Sequence, residues 1–177
     1  GNMAGTAALQ SVENSAPVSG TLRTGGIAGN MAGGSIRGAK NTGTVAGTTL
    51  VGGLAGEMTN GSTINTSSNS GSVTGGGERV GGVVGNMAGG TSLYAVSNSG
   101  AVTNNKDTQA TGGLAGKNEG SIKKSYNAGA VTSKGSWTGG IAGKNNGDIG
   151  GIDAADSVYN TGEVSGYGYT GGVAGLN

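Results

Sequence analysis

The stretch Gly112-Gly113-Leu114-Ala115-Gly116 decides the fold of this chain, because its pattern, Gly-Gly-aliphatic-small-Gly, returns along the whole length. Six copies begin at these positions: Gly25, Gly52, Gly81, Gly112, Gly139 and Gly171. Successive copies therefore start 27, 29, 31, 27 and 32 residues apart. A repeat of about 20 to 50 residues is typical of solenoids and other repeat arrays, so the pattern predicts one unit stacked on the next.

A second motif, Asn-small-small-x-Val, runs at the same period. Its asparagines are Asn14, Asn41, Asn69, Asn98, Asn127 and Asn160, and its valines are Val18, Val45, Val73, Val102, Val131 and Val164. We expect the asparagines to superpose as one column that turns inward at a corner, where their amides cap backbone groups of neighbouring coils, because buried polar atoms need partners. We expect the valines to form a second inward column.

Two further positions repeat as apolar or β-branched residues. A large aliphatic stands five residues before the asparagine in five periods, with Ala155 in the sixth: Leu9, Ile36, Ile64, Leu93 and Ile122. A β-branched residue precedes each Gly-Gly: Thr24, Val51, Val80, Thr111, Thr138 and Thr170. The sixth period also carries an insertion, residues 150–156. Stacked coils align such residues into ladders that fill a narrow interior without large rings.

These patterns predict an all-β fold, a single-stranded β-solenoid of about six coils with a period of about 27 to 32 residues. No segment holds the apolar stripe of a helix, and the short apolar pieces between Gly, Asn and Ser indicate strands. Glycine is expected to allow positive-φ turns and close backbone approach. We expect residues 1–177 to be one solenoid domain and a fragment of a longer protein, whose uncapped end coils can self-associate end to end.

Composition excludes several classes of function. Glycine supplies 43 of 177 residues, histidine, cysteine and phenylalanine are absent, and the formal net charge is +1. Without histidine there is no His-zinc site or Ser-His-Asp triad, so we expect no enzyme, catalytic residue, cofactor or metal. Cations do not cluster, so no nucleic-acid partner is expected. No apolar stretch approaches the roughly 20 residues that span a bilayer, so no membrane insertion is expected either.

The composite Gly-Gly-Leu-Ala-Gly-Lys-Asn-x-Gly-x-Ile-x-x-Ser-Tyr-Asn-x-Gly-x-Val, from Gly112 to Val131, resembles the GLUG repeat. That repeat is known from immunoglobulin A proteases of Gram-positive bacteria and from other large bacterial surface proteins. The resemblance covers essentially the whole chain, although the family often has Cys-Tyr-Asn where this chain has Ser125-Tyr126-Asn127. In those proteases the repeats lie outside the zinc-bearing catalytic part, so the resemblance implies a secreted or surface-located accessory region and no activity.

Two groups of residues are candidates for ligand contact. Trp137 and Tyr169 stand two residues before Gly-Gly in successive periods, and Tyr126 and Tyr159 both precede the repeated asparagine. Rings stacked in this way either bind a ligand such as a glycan or a host protein, or cover the rod by mutual packing. The aspartates in or beside the insertion either converge on Ca²⁺ or form a solvated acidic loop: Asp148, Asp153 and Asp156.

Three functions fit these patterns. The first is a non-catalytic structural or adhesive module of a secreted or cell-surface bacterial protein. The second is an accessory repeat region of a secreted immunoglobulin A-type metalloprotease. The third is an ice-binding solenoid, which needs a flat and regular threonine ladder, whereas valine interrupts the column before Gly-Gly at Val51 and Val80. The sequence favours the first.

Overall fold

The computed structural model describes residues 1–107 and 109–177, and this part of the chain folds into a β-solenoid of about six coils. Its strands are short, and each one pairs in parallel with the corresponding strand of the coil above or below. The described residues contain one helical segment, a 3-10 turn at Ala154–Asp156. The predicted fold class is therefore confirmed.

Four parallel sheets run along the rod, and we name three of them by the residue that repeats in them. The asparagine sheet contains Glu13–Asn14, Lys40–Asn41, Ser68–Asn69, Ser97–Asn98, Tyr126–Asn127 and Tyr159–Asn160. The valine sheet contains Val18–Ser19, Val45–Gly47, Val73–Gly75, Val102–Asn104, Val131–Ser133 and Val164–Gly166. The glycine sheet contains Arg23–Gly25, Leu50–Gly52, Arg79–Gly81, Ala110–Gly112, Trp137–Gly139 and Tyr169–Gly171.

The fourth, long sheet has 11 strands because two of its members span two sides of the rod. These are Asn2–Gln10 and Ala28–Arg37, and in later coils a turn divides the same stretch into two strands. The remaining strands after Gly-Gly are Ala55–Thr59, Val84–Met87, Ala115–Asn118, Ala142–Asn145 and Ala174–Leu176. Those of the other side are Thr63–Asn65, Ser92–Tyr94, Ser121–Lys123 and Asp148–Ile149.

The interior consists of two apolar clusters without a single aromatic ring. The larger cluster combines the Ile/Leu ladder, the aliphatic residue after Gly-Gly and a row of methionines, among them Ile64, Leu114 and Met58. The smaller cluster combines the valine ladder with two of the β-branched residues before Gly-Gly, Val51 and Val80. Like residues stack on like because the register is parallel, so branched aliphatic side chains fill the space that large rings fill in other folds.

The sixth coil corrects one expectation about the ladder. Counting back from Asn160 placed Ala155 in the Ile/Leu column, but Ile149 pairs with Ile122 and occupies that position. Residues 150–156 therefore leave the coil after the ladder residue, and Ala155 lies in the exposed 3-10 turn. A fixed count fails here because the insertion lies between the two residues being counted, whereas strand pairing holds Ile149 in register.

The glycines of Gly-Gly-x-x-Gly are required by close approach and not by a left-handed backbone. A Cβ on Gly82 would lie 2.1 Å from the carbonyl oxygen of Gly113 and 2.5 Å from Cγ of Asn98. The motif glycines are not among the residues with positive φ, which occur instead at turns such as Gly61 and Gly90. The two expected roles of glycine thus fall on different residues, with close approach at the motif and positive φ at the turns. The second glycine of the first five motifs leaves the space that the asparagine column occupies.

The β-branched column before Gly-Gly points inward. Thr24, Thr111 and Thr138 are buried like Val51 and Val80, and only Thr170 is exposed. Such a column cannot present a flat threonine surface to ice. Its hydroxyls differ in their partners: Thr111 Oγ1 bonds Asn104 Nδ2 at 3.1 Å and Ser133 Oγ at 3.0 Å, whereas Thr138 Oγ1 has no hydrogen-bond partner among the described residues.

We predict that Gly82→Ala lowers the free energy of unfolding by about 3 kcal/mol or more, because the new methyl group must displace Asn98 or separate two coils. The matched control is Gly172→Ala, the same motif position in the last copy, where a Cβ meets nothing within 4 Å. Urea and thermal denaturation followed by circular dichroism measure both variants. Equal losses in the two variants would contradict the close-approach explanation.

We predict that Thr138→Val raises the free energy of unfolding by about 1 kcal/mol, because it removes a buried hydroxyl without a partner and keeps its shape. Thr111→Val, in the adjacent coil, should lower it by about 1 to 3 kcal/mol, because Asn104 and Ser133 lose a partner. The same denaturation curves compare the two. The two changes in the free energy of unfolding should have opposite signs. Destabilisation by Thr138→Val would show that the Thr138 hydroxyl has a hydrogen-bond partner.

Candidate binding surface

The repeated asparagines form a continuous chain of amide hydrogen bonds. In each step, Nδ2 of one asparagine donates to Oδ1 of the next at 2.8 Å, from Asn14 through Asn41, Asn69, Asn98 and Asn127 to Asn160. Each Nδ2 also donates to the carbonyl oxygen two residues later in its own coil, as Asn98 does to Gly100 at 2.8 Å. The amide thus caps its own coil, and the bond between coils joins two side chains, not side chain and backbone as expected.

This column is buried and belongs to the scaffold. Asn41, Asn69, Asn98 and Asn127 are almost inaccessible to solvent, and the outer members Asn14 and Asn160 are half-buried. The valine column has the same gradient, with Val45, Val73, Val102 and Val131 buried and Val18 and Val164 half-buried. Neither column presents atoms to a ligand, so a binding surface must be sought on the outward residues of the sheets.

A second amide ladder escaped the sequence analysis. The row of interior methionines, Met31, Met58 and Met87, continues in the next coils as Asn118 and Asn145. Asn118 donates to Asn145 Oδ1 at 2.8 Å, and Asn145 donates to Asn177 Oδ1 at 2.8 Å. The signal was present in the sequence, because asparagine follows Gly-Lys at both Asn118 and Asn145.

All six aromatic side chains lie outside the core. The five tyrosines are exposed and Trp137 is half-buried, and all of them lie between residues 94 and 169. Tyr126 and Tyr159 stack on the outer side of the asparagine sheet, with ring centroids 5.2 Å apart and planes inclined by 4°. A chain that builds its core from aliphatic residues and leaves every ring on the surface has rings available for contact with another molecule.

The second predicted pair lies on a different sheet. Trp137 and Tyr169 are register partners in the glycine sheet, and the ammonium of Lys144 lies 5.2 Å from the centroid of the Trp137 ring. The structure therefore brings the predicted rings together as two pairs on two sides of the rod. It does not join all four into one platform.

A groove opens beside Tyr169, at the corner between the valine and glycine sheets. Its volume is about 370 Å³, and its lining includes Asp107, Lys134, Ser136, Tyr167 and Tyr169. Tyr167 is the most exposed ring of the chain at 88%, and Tyr169 is 71% exposed. Sequence analysis selected Tyr169 but missed Asp107, Lys134 and Tyr167, because these residues lie in turns that the repeat pattern does not cover. The lone tyrosine between two glycines, Gly166 and Gly168, was the available signal.

The three candidate calcium ligands do not come together. Asp148 pairs with Ser121 in the long sheet, Asp153 precedes the 3-10 turn, and Asp156 forms an ion pair with Lys123 at 3.2 Å. Within residues 1–107 and 109–177, no three His, Cys, Asp or Glu side chains are close enough to hold a metal ion. The acidic segment is thus a loop tied to the rod by an ion pair. No helix in the same ranges is long and apolar enough to cross a membrane.

Comparison with known proteins identifies one likeness of fold. A crystal structure described as a putative immunoglobulin A1 protease from Bacteroides ovatus superposes on this chain with a TM-score of 0.67. The superposition covers 98% of this chain at 19% sequence identity, so it shows a shared fold. This chain spans 54% of the length of that protein. No protein-family model matches the sequence. No curated protein matches it either.

We predict that Asn98→Ala lowers the free energy of unfolding by about 3 kcal/mol, because in a buried site it removes the Gly100 carbonyl's side-chain donor and one of the two hydrogen bonds at both Asn69 Nδ2 and Asn127 Oδ1. Asn14→Ala is the matched control, because this half-buried asparagine can exchange its lost bonds for water. Its expected cost is about 1 kcal/mol. Chemical denaturation measures both, and equal costs would argue against the buried amide ladder as a source of stability.

Proposed function

We propose that this chain is a non-catalytic structural and adhesive module of a secreted or cell-surface bacterial protein. The observation that carries the proposal is the position of its aromatic rings outside the core, where two pairs of them, Tyr126 with Tyr159 and Trp137 with Tyr169, lie on two faces of a ladder-built rod. A solenoid of this kind is generally structural, since repeated coils extend a surface in one direction. The partner is a host protein or a glycan that contacts these rings.

The architecture supports display better than catalysis. Within residues 1–107 and 109–177, the carboxylates that form ion pairs lie at three separate places along the rod: Glu57, Glu119 and Asp156. The polar side chains that the structure does gather, such as Asn98 and Asn127, are engaged in the amide ladder. A general acid–base pair needs a group within reach of a substrate, and these amides are buried.

A second candidate is an accessory repeat region of a secreted immunoglobulin A-type metalloprotease. It is supported by the GLUG-like pattern from Gly112 to Val131 and by the fold shared with the Bacteroides ovatus protein. That protein is described as a putative immunoglobulin A1 protease, and this chain spans 54% of its length. A repeat region of such a protease would hold the enzyme near its substrate, so the two candidates share a binding role and differ in the protein to which the module belongs.

The proposal predicts saturable binding to a glycoprotein surface through the rings. The purified chain should bind immobilised mucin, and the substitutions Tyr126→Ser, Tyr159→Ser, Trp137→Ser and Tyr169→Ser together should weaken that binding at least about tenfold, because aromatic residues dominate binding energy at interfaces. Biolayer interferometry against mucin, collagen and albumin measures the response. Melting curves verify that the variant remains folded.

The control variant substitutes four outward polar residues of the first coils, Glu13, Arg37, Lys40 and Asn65, by serine. It should bind like the unmodified chain. Lack of saturable binding to mucin and to collagen would contradict the adhesive role. Cleavage of immunoglobulin A1 by the purified chain, detected by mass spectrometry of its fragments, would contradict the non-catalytic assignment.

A further inference from the structure

We infer that the groove beside Tyr167 and Tyr169 binds one neutral sugar residue of a glycan. The inference rests on the proposed adhesive function and deepens it, because it names a site and the chemistry of its ligand. The groove is lined by two exposed rings, one carboxylate, one ammonium and one hydroxyl: Tyr167, Tyr169, Asp107, Lys134 and Ser136.

Comparison of equivalent positions in the six coils shows whether the fold requires a ring at Tyr167 or Tyr169. The third residue after each ladder valine occupies the same corner, and it is Thr21, Thr48, Gly76, Asn105, Lys134 and Tyr167 in successive coils. Only the sixth coil has a ring there, so stacking does not demand one. The column of Tyr169 contains Arg23, Leu50, Arg79, Ala110 and Trp137 in the other coils. Tyr167 and Tyr169 together are therefore an unrepeated feature, and a repeated fold does not explain them.

The loop at the corner where the groove lies also differs in length between coils. From the ladder valine to the first residue of the glycine sheet, the chain takes five residues in the first two coils, from Val18 to Arg23 and from Val45 to Leu50. In the fourth coil it takes eight, from Val102 to Ala110. Asp107, which belongs to this longer stretch, lines the groove. The groove thus combines a lengthened turn of the fourth coil with Lys134 of the fifth and the rings of the sixth.

The lining matches the chemistry of a sugar ring. The C–H faces of a pyranose pack on aromatic faces, and two tyrosines supply such faces with hydroxyl groups at their edges. The Asp107 carboxylate accepts hydrogen bonds from sugar hydroxyls, and the Lys134 ammonium donates to their oxygens. Pockets for small ligands start at about 300 Å³, so a volume of about 370 Å³ is suited to one sugar residue with its chain continuing into solvent.

The balance of charge favours a neutral sugar. One carboxylate and one ammonium line the groove, and an acidic sugar would meet Asp107 as a like charge. A proline-containing peptide also stacks on tyrosines, but it carries fewer hydrogen-bonding groups for Asp107 and Lys134 than a hexose, whose hydroxyls both donate and accept. The lining therefore selects a neutral hexose or N-acetylhexosamine.

The test titrates the purified chain with methyl glycosides of galactose, glucose, mannose and N-acetylglucosamine, one at a time. Trp137 is the only tryptophan, it follows the lining residue Ser136, and it is the register partner of Tyr169, so its fluorescence reports on the groove. Saturation-transfer NMR provides a second measurement that does not depend on Trp137. We expect at least one glycoside to bind with a Kd of about 1 mM, as expected for so small a ligand.

Substitutions of the lining residues test whether the glycoside binds in the groove. Tyr167→Ala and Tyr169→Ala should each raise the Kd at least about tenfold, whereas Tyr167→Phe should change it less than about threefold because the ring face remains. Tyr94→Ala is the matched control, since Tyr94 is an exposed tyrosine on the long sheet and is not one of the four rings of the mucin test, and it should leave the Kd unchanged. The methyl glycoside of N-acetylneuraminic acid should bind more weakly than the best neutral probe, and Asp107→Asn should reduce that difference.

Four outcomes would overturn the inference. They are no glycoside response by either method, an equal loss in Tyr94→Ala, tighter binding of the sialoside than of every neutral probe, and a hexaproline peptide that binds the groove when the glycosides do not. If mucin binding still depends on the four rings tested above while the glycosides give no response, the groove assignment falls and the adhesive function stands. If glycosides bind the groove and mucin does not, the function needs revision and the groove assignment stands.

Discussion

Parallel in-register stacking controls both the interior and the surface of this solenoid, because it places each residue about 4.8 Å from its equivalent in the next coil. An asparagine is suited to that spacing, because its amide can accept a hydrogen bond from the coil on one side and donate one to the coil on the other. Asn69 therefore donates to Asn98, and Asn98 donates to Asn127. The same constraint explains Gly82, whose missing side chain leaves room for Asn98 and for the next coil. The Gly-Gly motif and the asparagine motif thus contact each other in the fold.

In-register stacking fixes the strands but does not fix the length of the corner turns. Residues 150–156 extend from the sixth coil without disturbing the pairing of Ile149 with Ile122, and the turn that carries Asp107 lengthens the fourth coil in the same way. Loops on a rigid scaffold tolerate insertion because their backbone groups reach solvent. A solenoid can therefore vary its surface at the corners while its interior remains periodic. The coils of this chain differ mainly at those corners.

The distribution of rings follows from the narrow interior. Aliphatic side chains and methionine fill the space between sheets, so Trp137 and the tyrosines remain outside, in the later coils. Some of these rings contact one another, as Tyr126 and Tyr159 do, or contact a cation, as Trp137 does with Lys144. Tyr167 has no equivalent ring in the neighbouring coil, and it lines one groove together with Asp107 and Lys134.

The solenoid, its period and its ladders follow from the amino-acid pattern, because a repeat of fixed residues in parallel strands has one consistent stacking. The pattern also selected Trp137 and Tyr169 as rings at equivalent places in successive coils. Strand pairing in the folded chain was needed to show that Ile149 and not Ala155 continues the aliphatic ladder, since pairing and not residue count sets the register. The tertiary structure alone showed that Asp148, Asp153 and Asp156 stay apart, and that Asp107, Lys134 and Tyr167 meet, because residues about 30 apart in sequence become neighbours only when coils stack.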